Sequence, residues 1–319
     1  MRTSYHQQKW ALGCPITITL VSDQEEAKVN PVFAKLWVQI LSFEKMCSRF
    51  LQNSELTMLN TSAGIATKVS PEFYEVVAKA KYMAEYTGDV YNPFVLPALQ
   101  RAGYVRSMLE ANQNDPQADF SDRKVVPSSK LVLKNGSITI PYGTALDLGG
   151  MGKGYLGDQL VQTVKKHSVV SGFWISLGGD TVCGGHDDQD RPWEVHVQSA
   201  SPNGMACVSH IMQPSGGKTF AAATSTTNIR KGTYNGKEWH HIIDTTTGKP
   251  AQSDLLLATI CTDSLLEADV LASCAIIAGS ARAETFIMAR KIKHYLFLTT
   301  ALPKQKLIHS KSFYDQSVR

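Results

Sequence analysis

Three segments of the chain concentrate residue types able to do chemistry. In "ALDLGGMGKGYLGDQL", residues 145–160, five glycines and Lys153 lie between Asp147 and Asp158. Glycine lets a backbone approach a ligand closely, and a helix N-terminus presents unpaired N–H groups to an anion. The stretch departs from both common nucleotide fingerprints. Gly154 stands where a Walker loop needs Ser or Thr, and the Rossmann glycine spacing is absent. Taken alone it fits a ligand loop and a tight turn before a close-packed helix equally well. In "EADVLASCAIIAG", Asp269 and Ser273 are four residues apart and share a helical face. A carboxylate and a hydroxyl so placed are hard oxygen donors suited to Mg²⁺; local capping or pairing by Asp269 competes with that role. In "EWHHIIDTTTGKP", residues 238–250, His240 and His241 point to opposite faces of a strand and cannot share a zinc ion. His241 shares a face with Ile243 and stands near Asp244. It is a candidate general base, with a hydrogen-bonded structural histidine as the alternative.

Two weaker segments flank these. "FAAATSTTNIRKG", residues 220–232, leads small and hydroxyl residues up to Arg230 and Lys231 and has donors for an anion. "SLGGDTVCGG", residues 176–185, surrounds Asp180 with glycine turns and reads as backbone geometry rather than chemistry.

The elements that must position these residues follow from periodicity. "CPITITLV" alternates as a strand, and Phe33, Leu36, Trp37, Ile40, Leu41 and Met46 recur at helical spacing. Ser70-Pro71-Glu72 opens a helix that stops near Gly88, and Asn135-Gly136 marks a hairpin. A polar tract near 110–130 lacks periodicity and reads as an exposed excursion. An apolar strand is expected to hand over to the helix that begins in the glycine stretch. Further strands follow in "GFWISLGGD", "WEVHVQSA", "ATICTD" and "HYLFLTT", and helices in "LLEADVLASCAIIAG" and "AETFIMARKI". Without a regular βαβ alternation, these predict an α+β fold with largely antiparallel sheet and packed helices.

Composition narrows the classes. At 319 residues, 43% hydrophobic and 19% charged, the chain is an ordinary globular protein, so extensive disorder is excluded. Its net charge of +4 is spread along the chain, which argues against nucleic acid as a partner. No apolar run approaches the roughly 20 residues of a membrane span. The N-terminus enters a strand pattern without a signal region, so a cytoplasmic protein is expected. Cys14, Cys47, Cys183, Cys207, Cys261 and Cys274 show no CxxC spacing and read as free, mostly buried thiols of a reducing compartment.

The order of the segments is more specific than any one of them. "SRFLQNSELTMLN", "TGDVYNPFVLPAL", "DLGGMGKGYLGD", "SLGGDTVCGG", "TSTTNIRKG", "HHIIDTTTGKP" and "EADVLASCAIIAG" succeed one another as in the ApbE family, the FAD:protein FMN transferases. The chain resembles that family over nearly its whole length. The resemblance implies an ApbE-like domain spanning 1–319, with a T-fold-like duplicated architecture. It also implies Mg²⁺-dependent cleavage of FAD, with FMN attached through a phosphoester to a Thr or Ser of a target flavoprotein and AMP released. Hydrolysis of FAD to FMN and AMP, or flavin carriage without turnover, are the alternatives.

By motif, the resemblance assigns Asp147 and Lys153 to FAD, together with Phe50, Val90, Tyr91, Asn92 and Ile243. It assigns the Gly150 carbonyl, Asp269, Ser273 and the nearby Ala272 carbonyl to the metal, and makes His241 the base for the acceptor hydroxyl. Leu12, Cys14, Asn92, Thr226, Thr245 and Ser273 depart from the usual family residues; Ser273 keeps the hydroxyl of the usual threonine.

Overall fold

Strand Thr3–Ala11 turns into strand Cys14–Ser22 through Leu12 and Gly13, both at positive φ. That is the backbone a two-residue hairpin needs to follow the twist of its strands. In this computed structural model, residues 1–106, 121–197, 210–212, 218–234, 237–299, 306–310 and 314–315 are described. The hairpin forms one edge of an eight-stranded sheet. The others are Gly172–Leu177, Asp180–Gly184, Phe220–Thr226, Leu255–Thr262, His294–Thr299 and Leu307–His309. They lie in the sheet in chain order, each antiparallel to the next. The chain visits the sheet as two strands, a helical excursion and two strands, and then does so again.

Helices cover one face. Helix α1 (Glu26–Cys47) begins before Pro31 and buries Phe33, Leu36, Trp37 and Ile40. Leu41 stays 48% exposed and Met46 half-buried. Leu41 is one step of about 100° around the helix from Ile40, which turns it away from the buried stripe. A short helix that periodicity does not signal, α2 (Glu55–Thr61), follows; Ser54 caps it by accepting from Thr57 N at 3.0 Å. Helix α3 (Pro71–Thr87) starts and stops as expected, on a Ser70 cap and a left-handed Gly88. A turn at Pro93–Val95 leads to α4 (Leu96–Arg101). Asn135 and Gly136, at φ 51° and 69°, turn the predicted hairpin between Val132–Lys134 and Ser137–Thr139.

Helix α5 (Gly152–Lys165) and α6 (Leu265–Ala278) meet closely. A Cβ on Gly154 would lie 2.6 Å from the Leu265 carbonyl oxygen, and one on Gly157 would lie 2.4 Å from Leu265 Cδ2. Asp158 completes the joint by accepting from Ser264 Oγ at 2.6 Å and Leu265 N at 2.7 Å, at the start of α6. Helix α6 is apolar nearly all round and is buried against the Phe220–Thr226 and Leu255–Thr262 strands. The opposite face of the sheet carries a smaller core around Phe220, Leu257 and Leu296, covered by Val195, Val197 and Trp193.

Residues 107–120 of the polar tract lie outside the described residues. Beyond them the chain returns to the 244–248 turn, where Arg123 N and Val125 N donate to the carbonyls of Thr247 and Thr245. The five described cysteines are free and buried, and Cys207 lies outside the described residues. Among the described residues no helix is long and apolar enough to cross a membrane.

Candidate functional site

No strand hands over to the glycine stretch. The strand at Ser137–Thr139 ends well before it, and residues 144–148 run as irregular chain. Four hydrogen bonds fix that run. Asn60 brackets Leu146, donating to its carbonyl at 2.9 Å and accepting from its N–H at 2.7 Å. Asp147 N donates to the Pro93 carbonyl at 2.8 Å, and Asp147 Oδ1 accepts from Gly149 N at 2.8 Å. Buried backbone groups need such partners wherever sheet and helix do not supply them. Helix α5 then starts at Gly152, with Lys153 in its first turn. The glycines serve two ends. Gly154 and Gly157 admit α6, while Gly149 and Gly150 turn the chain beside Asp147 and the Tyr91 ring.

Polar groups from distant segments converge on the start of α5. Asp269, buried on α6, accepts from Gly154 N at 3.1 Å. It thus caps α5 across the helix pair, so the capping that competes with a metal role serves a neighbouring helix and not its own. Burial raises the Asp269 carboxyl to about 7; Lys153, the Gly154 N–H and Arg230 hold it down, and Asp180 pushes it up. The Lys153 ammonium pairs with Asp180, whose Oδ1 accepts from Thr224 N at 3.1 Å. Burial would depress the Lys153 ammonium, but Asp180 and Asp269 outweigh it and hold its pKa above the usual lysine range. Asp147 pairs with Arg49 at 2.8 Å. The Ser273 hydroxyl donates back to its own helix, with the Val270 carbonyl at 3.0 Å and the Asp269 carbonyl at 3.4 Å. Ala272 is fully buried in α6.

Two polar atoms in this neighbourhood are buried without a hydrogen-bond partner among the described residues: the Tyr91 hydroxyl and His241 Nδ1. Burial, with Asp147 and Asp269 nearby, pushes the Tyr91 phenol well above its usual range. His241 follows the end of strand Lys237–His240, and its N–H donates to the Arg230 carbonyl at 3.2 Å. Burial first, then Arg230, His240 and Lys153, push the imidazole down to about 3, so it is neutral at pH 7. His240 is different: Nε2 meets the Ala251 carbonyl at 2.9 Å and Nδ1 accepts from Ile242 N at 3.2 Å. Asp244 does not orient His241; its Oδ1 accepts from Thr246 N and Thr246 Oγ1 within its own turn.

The remaining candidates have structural surroundings of their own. Ile243 packs with Ala98, Leu99 and Ala102, and Val90 is half-buried. Asn92 caps the Pro93 turn by accepting from Phe94 N at 2.9 Å and donates to the Val126 carbonyl at 3.0 Å. Phe50 is 39% exposed and lies on the Arg49 guanidinium. Thr226 and Thr245, two of the departures, bond the carbonyls of Leu256 and Asp89 and so tie down chain. Sequence reasoning misses Arg49 and Asn60 and undervalues Asp180. The one signal for Asp180 is a buried-strand pattern carrying a carboxylate that needs a cation.

Fold and site together define a class: an antiparallel α+β protein in which lysine, arginine and buried carboxylates meet at the start of a helix. Residues 12–296 match the ApbE family, and the chain belongs to it. It is similar to the FAD:protein FMN transferase of Treponema pallidum, at 26% identity over 86% of this chain and 79% of that protein. It is also similar to the FAD:protein FMN transferase of Haemophilus influenzae, at 22% identity over 94% and 85%. Among solved structures, the flavin transferase ApbE of Vibrio cholerae superposes with a TM-score of 0.81 at 20% identity, covering 98% of each chain. The apo flavinyl transferase ApbE of Pseudomonas stutzeri superposes with a TM-score of 0.82 at 15% identity, covering 98% of this chain and 96% of that one.

Proposed function

We propose that this chain is an Mg²⁺-dependent FAD:protein FMN transferase: it moves FMN from FAD to a Thr or Ser hydroxyl of an acceptor flavoprotein and releases AMP. The observation that carries this reading is the meeting of Lys153, Asp269 and His241, whose Nδ1 has no hydrogen-bond partner among the described residues, in one buried electrostatic neighbourhood, in a member of a family whose relatives bear that name.

The donor set fits a hard cation. Among the described residues no group of three or more His, Cys, Asp or Glu side chains is placed to hold a metal. Mg²⁺ does not require one, since one or two carboxylates, neutral oxygens, water and phosphate satisfy it. Asp269, the Ser273 hydroxyl and the carbonyls of Gly150 and Ala272 are the residues that would hold it. A buried carboxylate raised to about 7 is one that gains from a cation. When bound, the metal would neutralise phosphate charge as the pyrophosphate bond breaks. Lys153 holds the phosphates, and its pairing with Asp180 fixes where its charge sits. Asp147, Phe50, the 90–92 segment and Ile243 orient the rest of FAD. His241, neutral and desolvated, takes the proton of the attacking hydroxyl, and the negative charge of bound phosphates raises its proton affinity for that step.

The test incubates the protein with FAD and Mg²⁺, with and without a flavoprotein carrying the acceptor hydroxyl. Covalent fluorescent flavoprotein formed together with AMP is the expected result. AMP released equally without acceptor would make the protein a hydrolase, and intact FAD retained on the protein would make it a carrier.

A further inference from the structure

We infer that Arg49 is a positioning residue for Asp147 and that a ladder of aromatic rings holds it in place. The inference rests on the proposed role of Asp147 in binding FAD.

The Arg49 guanidinium is almost wholly enclosed. Its Nε lies 2.8 Å from Asp147 Oδ2, with both side chains 8% exposed, and its Nη2 donates to the Tyr104 carbonyl at 3.0 Å. Its Cζ stands 4.2 Å from the centroid of the Phe50 ring and 4.6 Å from that of Tyr104, and those two rings meet edge-on, 6.1 Å apart with planes at 65°, so the cation sits in the corner they form. The ladder continues: Tyr104 stacks on Trp239 with centroids 6.5 Å apart and planes 30° from parallel. Two glycines make room for the indole. A Cβ on Gly232 would lie 2.7 Å from Trp239 Nε1, and one on Gly103 would lie 3.3 Å from Cε2. Trp239 is two residues before His241. The ladder therefore joins the end of α1, the chain after α4 and the histidine strand, and its first member holds the aspartate.

Arginine is needed for this and lysine cannot replace it. Only a planar, delocalised cation packs against both rings while donating from Nε to Asp147 and from Nη2 to the Tyr104 carbonyl. With Arg49 on Oδ2 and Gly149 N on Oδ1, the Asp147 carboxylate has its orientation set and its outer lone pairs left to accept. It then selects a donor on the ligand, a hydroxyl or an imide N–H, and not a phosphate oxygen.

The experiment compares the full-length protein with Arg49→Lys, Arg49→Ala, Asp147→Ala and the double Arg49→Ala/Asp147→Ala. Each is measured for thermal stability without ligand and for FAD affinity by titration calorimetry with Mg²⁺ present. The expected result is a loss of affinity of about tenfold or more in each single variant, of the order set by losing one charge-assisted hydrogen bond, with the double no weaker than the worse single. Low, non-denaturing guanidinium restores binding to Arg49→Ala, and ammonium does not. Arg49→Lys retains the charge, so weaker FAD binding at a temperature where its melt shows the variant folded reads positioning even if Arg49→Ala does not fold. Wild-type affinity in Arg49→Lys, or additive losses in the double variant, would overturn the inference. If wild-type protein does not bind FAD, the flavin reading itself falls; if it does and Asp147→Ala binds equally well, the assignment of Asp147 falls and this inference with it.

Discussion

The two halves of the site are built on opposite terms. Around α5 and α6, charges answer one another: Lys153 meets Asp180, Asp147 meets Arg49, and Asp269 meets the Gly154 N–H. At the histidine strand the reverse holds: the His241 Nδ1 is buried without a partner among the described residues, and the cations Arg230 and Lys153 oppose its protonation. The charged groups of the first half are paired before a ligand arrives, although the Tyr91 hydroxyl beside them is also buried without a partner among the described residues. The second holds a polar atom whose partner has to be supplied, and an unmade buried hydrogen bond costs about 1–3 kcal/mol until it is.

Removing the paired half should have the largest effect. Asp269→Ala is expected to abolish Mg²⁺-dependent AMP release, measured by chromatography of the reaction; full retention would remove Asp269 from the metal site. His241→Ala should slow FMN transfer by about 10²- to 10⁴-fold, the usual range for a general base, while calorimetry shows FAD still bound. A wild-type rate would make His241 a structural histidine and erase the contrast between the halves. Gly154→Ala forces a Cβ onto the Leu265 carbonyl and should cost about 1–3 kcal/mol of stability, read as a lower denaturant midpoint, because neither helix backbone can yield as a side chain can.

The smallest expected effect is the sharpest test of the contrast, since the two halves respond to pH with opposite sign. Asp269 has a folded pKa of about 7, above its unfolded value of 3.8, so the native state holds the extra proton. Its contribution to stability is fully present below about 4 and is lost as pH rises toward 7. His241 has a folded pKa of about 3, below its unfolded value of 6.5, so its contribution is present above 6.5 and is lost as pH falls toward 3. The two contributions oppose one another over the same range, so thermal melts of the ligand-free protein from pH 4 to 7 should show stability rising with pH in Asp269→Asn and falling with pH in His241→Ala, with the wild type flatter than either. Added Mg²⁺ should stabilise more at pH 7 than at pH 5. A common slope in both variants would show that the halves do not differ in this way.

Features written in adjacent residues are legible in the sequence. Ser70 with Pro71 and Gly88 bounds α3, and Asn135-Gly136 turns its hairpin, because cap and turn chemistry act within a few residues. The spacing of Asp269 and Ser273 places both on α6 for the same reason. Arg49 is invisible because its meaning depends on Asp147, Tyr104 and Phe50, two of them far along the chain. Asp180 resembles a turn residue because the cation that pairs with it comes from the first turn of another element. The strand expected before the glycine stretch is absent because Asn60 and Pro93 supply the hydrogen bonds a neighbouring strand would have given.

The sheet lies in chain order, and this has a consequence for how the protein comes into being. A chain emerging from its N-terminus can add each strand to the edge left by the previous one, so four strands through Gly184 can pair before the second half exists. Asp147 and Lys153 belong to that early portion, whereas His241, Asp269 and Ser273 arrive only after the sheet has grown past its middle. A truncated or interrupted chain therefore has an edge and a glycine loop but lacks the α6 carboxylate that completes them. Under the proposed function, occupancy of the finished site therefore requires synthesis carried through at least to α6.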